Sequence, residues 1–170
     1  QFWYEGDTDG SFYGQHLFPT TGKRIVITEG ELDAASCFEC MPGWPMVSLP
    51  SGAASAKKAI KANLELLQGY EDIVLFFDND EPGRKAAEEC AGVLPPGKVR
   101  IALLDAYKDA SEALQAGDTK AVSRAIYDAK PYRPDGIIEA RSLLELVTTP
   151  LPPNDYDYGF NGLDKLLHGI

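Results

Sequence analysis

Arg24-Ile25-Val26-Ile27-Thr28-Glu29-Gly30-Glu31-Leu32-Asp33 is the stretch on which the fold turns. Its opening residues are apolar and β-branched, which suits a short buried strand. Acids follow at Glu29, Glu31 and Asp33, and the pattern from Glu31 to about Cys40 is helical. A strand thus ends in carboxylates and runs directly into a helix.

The same rhythm recurs downstream. Pro45-Met46-Val47-Ser48-Leu49 reads as a second strand, broken by Pro50-Ser51-Gly52. Ala56 to Leu67 then carries Ile60, Leu64 and Leu67 at helical spacing. Asp72-Ile73-Val74-Leu75-Phe76-Phe77 is apolar at consecutive positions, as a strand covered on both faces must be. Pro82 falls where the first turn of a helix tolerates proline and opens a helix over Gly83 to Leu94. Pro95-Pro96-Gly97 closes it, and Val99 to Leu104 supplies a fourth strand. Strands alternating with helices in this way imply βαβ units, hence an α/β fold with about four strands in a mainly parallel sheet.

After Asp109 the character changes. Ser111 to Ala116, Thr119 to Ala129 and Ile138 to Val147 are helical, with Pro131 and Pro134 as interruptions, and residues 148–158 form a proline-rich linker. The expected division is 1–22 as the tail of a preceding subdomain, 23–115 as the α/β domain, 116–147 as a helical extension, 148–158 as linker and 159–170 as the start of a further domain.

In open parallel sheets, sites form outside the carboxyl ends of the strands. The first strand delivers Glu29, Glu31 and Asp33 to that edge, the third delivers Asp78 and Asp80, and the fourth leads into Lys108 and Asp109. Asp78 and Asp80 are two apart, so in extended backbone they point the same way. Converging carboxylates repel one another unless cations intervene. Such hard oxygen donors suit Mg²⁺, with Mn²⁺ as the alternative, and phosphate chemistry uses these ions for orientation and charge neutralisation. Any one of these acids alone would be a solvated loop residue or a helix cap; the metal reading rests on the joint pattern.

The 170 residues carry a net charge of −10. That disfavours gripping nucleic acid by bulk positive charge, since phosphates are neutralised by Lys and Arg. No apolar run approaches the roughly 18 residues of a membrane span. The beginning, Gln1-Phe2-Trp3-Tyr4, is not a signal peptide and reads as a cut edge. Three cysteines, an odd number without an export signal, suggest reduced thiols in a cytosol.

Glu29-Gly30-Glu31-x-Asp33 followed by Asp78-x-Asp80 resembles the TOPRIM signature of bacterial and phage primases, type I and II topoisomerases and some nucleases. Gly14-Gln15-His16-Leu17-Phe18, Val47-Ser48-Leu49, Gly83-Arg84-Lys85-Ala86 and Lys108-Asp109-Ala110-Ser111-Glu112 narrow it. They are similar to the bifunctional primase–helicases of short-tailed phages, relatives of the mitochondrial helicase Twinkle. The resemblance covers nearly the whole chain and implies a TOPRIM, Rossmann-like fold. It implies magnesium-dependent synthesis of RNA primers on a single-stranded DNA template from nucleoside triphosphates, in the cytoplasm of an infected bacterium. Glu29, Asp78 and Asp109 would then be the magnesium-linked acids with Asp80 in support, and Glu29 is alternatively the general base for a 3′-hydroxyl. Arg84, Lys85, Lys108 and Lys57 would face nucleotide phosphates, or else lie on solvated helix faces.

The resemblance also implies partners that this sequence lacks: a zinc-binding template reader and a helicase half that assembles as a ring. Gly159 to Ile170 resembles the entry to a RecA-like helicase domain, but no GxxxxGK[ST] loop follows. The stretch alone is therefore expected to be a weak or inactive primase.

Other signals carry less. Cys37-x-x-Cys40 lies within a helical pattern, and His16 and His168 are remote from it, so structural thiols are expected, with Leu32, Cys37 and Phe38 buried. The loop from Pro50 to Lys58 is either a plain N-cap turn or an anion-contacting loop, Lys57, Lys58 and Lys61 favouring the second. Trp3, Tyr4, Phe12, Tyr13 and Phe18 suit core packing better than base stacking. Two other functions compete: a metal-dependent TOPRIM nuclease, and a catalytically silent module of a replicative helicase. A topoisomerase is disfavoured because no tyrosine-bearing cleavage domain is present. A dehalogenase-type phosphatase is disfavoured because Glu81 and Pro82 follow the Asp-x-Asp pair.

Overall fold

A computed structural model describes residues 10–134, 143–149, 159, 160 and 163 of the chain. The chain divides into two units, Gln1–Pro134 and Asp135–Ile170. The first holds a five-stranded sheet in the order β2-β1-β3-β4-β5. Its strands are β1 (Gly22–Thr28), β2 (Met46–Ser48), β3 (Tyr70–Phe76), β4 (Val99–Ile101) and β5 (Lys130–Pro131). β1 to β4 are mutually parallel, with Ile27 opposite both Val47 and Leu75, and β5 is antiparallel to β4.

Both faces of the sheet are covered, which accounts for the unbroken apolar runs. Ile25, Ile27, Val47, Ile73, Leu75 and Val99 pack on one side against α2 (Ala56–Ala62), α3 (Leu64–Gln68) and α4 (Glu81–Ala91). Val26, Met46, Val74 and Phe76 face the other side, against α1 (Glu31–Cys40), α5 (Ala110–Gln115) and α6 (Thr119–Tyr127). Successive strand residues point to opposite layers, so each must be apolar.

Several expectations change in detail. The interruption expected at Pro131 is a two-residue edge strand, a place where proline removes no needed donor. The helix expected over Ala56 to Leu67 breaks at Asn63, whose Nδ2 donates to the carbonyls of Ala59 (2.8 Å) and Gly10 (2.9 Å). That side chain competes with the helical ladder. The fourth strand stops at Ile101, short of Leu104.

In α1 only part of the expected buried face is correct. Cys37 is fully buried, whereas Leu32 is 77 % and Phe38 41 % exposed. Ala34, Cys37 and Met41 form the inward stripe at helical spacing, and this turns Leu32 outward. Phe38 instead meets the ring of Phe18 at 6.1 Å between centroids. Phe12 joins the core, while Tyr13 is exposed and pairs its backbone with Ser48. Trp3 and Tyr4 lie outside the described residues.

In the second unit, the helix expected over Ile138 to Val147 falls partly outside the described residues, which include α7 (Leu144–Thr148). The 148–158 linker and the 159–170 segment lie largely outside them. Among the described residues, no helix is long and apolar enough to cross a membrane.

Candidate active site

The carboxyl ends of β1 and β3 and the N-terminus of α5 bring the acids to one edge of the sheet. Thr28 pairs with Phe76 and with Ser48, so Glu29 leaves the sheet beside the loops after β2 and β3. The Thr28 hydroxyl donates to the carbonyls of Gly30 (2.9 Å) and Val47 (3.3 Å), fixing the chain on either side of Glu29.

Glu29 is the most constrained of these acids. Its Oε1 accepts from the backbone N–H of Ala53 at 3.3 Å, while Oε2 is sealed from solvent without a hydrogen-bond partner. Gly52, at φ +67, makes the turn that aims this amide. The loop after β2 is therefore neither a side-chain cap nor an open anion cradle, since one of its amides already serves a carboxylate of the protein. Burial pushes the Glu29 carboxyl above its ordinary value, the negative fields of Asp78 and Asp80 add to the rise, and the backbone amides of Ala53 and Asp78 oppose it without cancelling it.

Asp80 and Asp109 both do what the cautious reading expects. Asp80 Oδ1 caps α4 through the N–H of Gly83 (2.9 Å), and Asp109 Oδ1 caps α5 through the N–H of Glu112 (2.7 Å). In return, Glu112 accepts from the backbone N–H of Lys108 at 2.7 Å, a variant of the reciprocal capping box. Each capping aspartate keeps a second oxygen for other work.

Lys108 departs from its expected role. Its ammonium lies 2.8 Å from Asp78 Oδ2 and 3.7 Å from Asp80 Oδ2, so it pairs with the acids rather than standing free for a phosphate. That hydrogen bond and the surrounding carboxylates, Asp109 among them, hold its ammonium above the usual lysine range. Arg84 is also engaged: it donates to the backbone carbonyl and the Oδ1 of Asn79, both at 3.1 Å. Lys85 and Lys57 are exposed on α4 and α2 and form no ion pair with the acids among the described residues.

Asn79 and Asp33 act as positioning groups, a role that the sequence did not reveal for either. Asn79 donates its backbone N–H to the Lys108 carbonyl (2.7 Å) and its side chain to the Leu104 carbonyl, which ties the two acidic loops together. Asp33 accepts from the N–H of Ser111 at 3.1 Å and so anchors α5 to α1. Burial raises the Asp33 carboxyl, against the lowering effect of Ser111, and the fields of Asp109 and Asp78 reinforce the rise. The regular Asp109-x-x-Glu112 spacing was a legible cap signal; the Asp33–Ser111 contact, 78 residues apart, had none.

The donor set fits a hard divalent ion: the oxygens come from carboxylates, and one of them, Glu29 Oε2, is buried with no partner. Among the described residues no three acids are gathered closely enough to form a coordination shell. Positive charge at the aspartates is supplied by Lys108. The cysteines offer no rival site: all three are free, and Cys37 and Cys90 are buried.

The chain is similar in sequence and in fold to proteins of one family. The Toprim-like family model matches residues 26–114. A DNA helicase/primase of Enterobacteria phage T3 is 45 % identical over 142 residues, 83 % of this chain and 25 % of that protein. The chain thus spans about a quarter of that relative's length. The primase fragment of the bacteriophage T7 primase-helicase superposes with a TM-score of 0.65 at 46 % identity, over 68 % of this chain and 48 % of that one. A T7 assembly gives 0.70 at 43 % identity, over 75 % and 65 %. In it, primase domains of two gp4 subunits are bound to an RNA/DNA hybrid and dTTP and interact with the lagging-strand polymerase.

Proposed function

Since the chain belongs to the Toprim-like family, and its Toprim domain is closely related to the primase part of the T3 and T7 proteins, we propose that it is the catalytic domain of a phage DNA primase–helicase. It joins ribonucleotides into short primers on single-stranded DNA. The observation that carries this reading is Glu29 at the carboxyl edge of the sheet, with one oxygen sealed from solvent and the negative fields of Asp78 and Asp80 acting on it.

Glu29, Asp78, Asp80 and Asp109 are the residues that would hold Mg²⁺, or Mn²⁺ in its place. Bound there, the ion supplies charge neutralisation and orientation for the reacting phosphates. The chain's own contribution is position and proton handling. As the alternative to holding the ion, Glu29, with its carboxyl raised by burial, is suited to accept the proton of an attacking 3′-hydroxyl. Attack of that oxygen on the α-phosphorus of a nucleoside triphosphate forms the new phosphodiester and releases pyrophosphate. Asn79 and the two aspartate caps hold the loops still, so that little reorganisation accompanies the step. Lys57 and Lys85, exposed on α2 and α4, supply positive charge for the triphosphate and template. In the complete protein, a zinc-binding module reads the template and a helicase half forms the ring, inside the bacterial host.

The test is incorporation of labelled ribonucleotides on single-stranded DNA in Mg²⁺, with the chain alone and joined to a zinc-binding template reader. Primers from the joined form that vanish in Asp78→Asn support the reading. Metal-dependent DNA cleavage without nucleotides points instead to a nuclease. Inertness of the joined form in both assays identifies a silent structural module.

A further inference from the structure

We propose that Lys108 is a resident counter-cation of the acidic site, which a divalent ion must displace from Asp78 and Asp80 in order to bind. This rests on the metal reading given above and adds a specific residue that sets the affinity of that site.

The geometry is asymmetric in a telling way. Asp78 Oδ2 receives the ammonium at 2.8 Å and Asp80 Oδ2 at 3.7 Å, so one cation spans both aspartates. Asp80 keeps Oδ1 on the α4 cap, and the oxygen facing Lys108 is the one left for a metal. The backbone of Lys108 is held firmly, its N–H on Glu112 and its carbonyl on Asn79. Its side chain is more than half exposed, at 55 %, whereas that of Asp78 is 17 % exposed. The anchor is therefore fixed and the arm is free to swing into water.

A divalent ion on Asp78 Oδ2 competes with the ammonium for that oxygen, since like charges a few ångströms apart repel each other near a protein surface. A lysine in this position does two things. It offsets repulsion among the acids while no ion is bound, and it raises the metal concentration needed to fill the site. Once displaced, the same ammonium stands at the rim, where an incoming triphosphate brings its negative charge.

The experiment compares Mg²⁺ and Mn²⁺ binding by calorimetry for the unaltered chain and for Lys108→Met, Lys108→Gln and Lys108→Arg. Far-ultraviolet circular dichroism in chelator confirms that each is folded. The neutral variants are expected to bind about ten-fold more tightly, and Lys108→Arg to stay near the unaltered chain. A second measurement needs no variant: acylation of Lys108, followed by mass spectrometry, is expected to speed up when metal is added. Equal affinity in all four chains, with acylation unchanged by bound metal, overturns the inference and leaves the metal site standing. Absence of binding in every chain removes the metal reading, and this inference with it.

Discussion

Gly83 lies so close to the backbone of Asp78 that a Cβ on it would stand 2.3 Å from the Asp78 carbonyl oxygen. The first turn of α4 is thus pressed directly against the residue that delivers a central carboxylate. Gly83→Ala must push the two apart, at a cost of roughly 1–3 kcal/mol if the backbone yields as an overpacked core does. Gly92→Ala is the control, since its Cβ would meet nothing nearer than 3.6 Å and its backbone is already helical. Urea unfolding should show a lower midpoint for Gly83→Ala alone, together with weakened metal binding.

Glu29 carries a stability cost in its charged form. Its folded-state pKa is raised above 4.5, so between that value and the raised one the folded chain holds more proton than the unfolded chain. Stability from this group therefore falls as pH rises through the window, and the full cost remains above it. Glu29→Gln should melt higher than the unaltered chain at neutral pH and lose that advantage as pH drops towards 4.5. Thermal unfolding at several pH values checks this, and a lower melting point at neutral pH would contradict it.

Asp109 can be dissected by chemistry. Asn is as good a helix cap as Asp but carries no charge. Asp109→Ala should lose about 0.5–2 kcal/mol of stability with its cap, while Asp109→Asn should keep its stability and lose metal affinity. If Asp109→Asn binds metal as the unaltered chain does, this residue is a cap alone.

At the other end of β3, Asp72 joins Arg24 at 2.8 Å and Arg100 at 3.2 Å. Burial raises its carboxyl, but the hydrogen bonds and fields of the two arginines outweigh this and leave it lowered. Its contribution is present above pH 3.8 and is lost as pH falls through the lower folded value. Asp72→Asn should cost about 1–3 kcal/mol at pH 7 and leave metal binding intact, as unfolding and calorimetry would show.

The thiols should react in order of exposure. Cys40 is half-buried, whereas Cys37 and Cys90 are fully buried, the latter with its pKa pushed up to about 11 by burial and the neighbouring Glu89. Alkylation of the folded chain should label Cys40 first and reach the other two only on unfolding, as peptide mass spectrometry would report.

Some of this was legible and some was not. The run Ile73-Val74-Leu75-Phe76 announced a strand covered on both faces, because alternate residues really do enter different helical layers. Leu32 and Phe38 misled, because α1 is narrow on its buried side and small residues there were sufficient. Asn63 broke a helix through a side-chain bond to Gly10, 53 residues away, which no local pattern contains.

The sequence by itself determined which acids reach the carboxyl edge, since strand period and the position of each acid after its strand are local properties of the chain. Only the tertiary structure decided that Lys108 occupies Asp78 and Asp80, that Asp33 braces α5, and that one oxygen of Glu29 is left unpartnered. Pairing and burial depend on the packing of segments far apart in sequence, and the strength of a charge depends on what that packing places within a few ångströms of it.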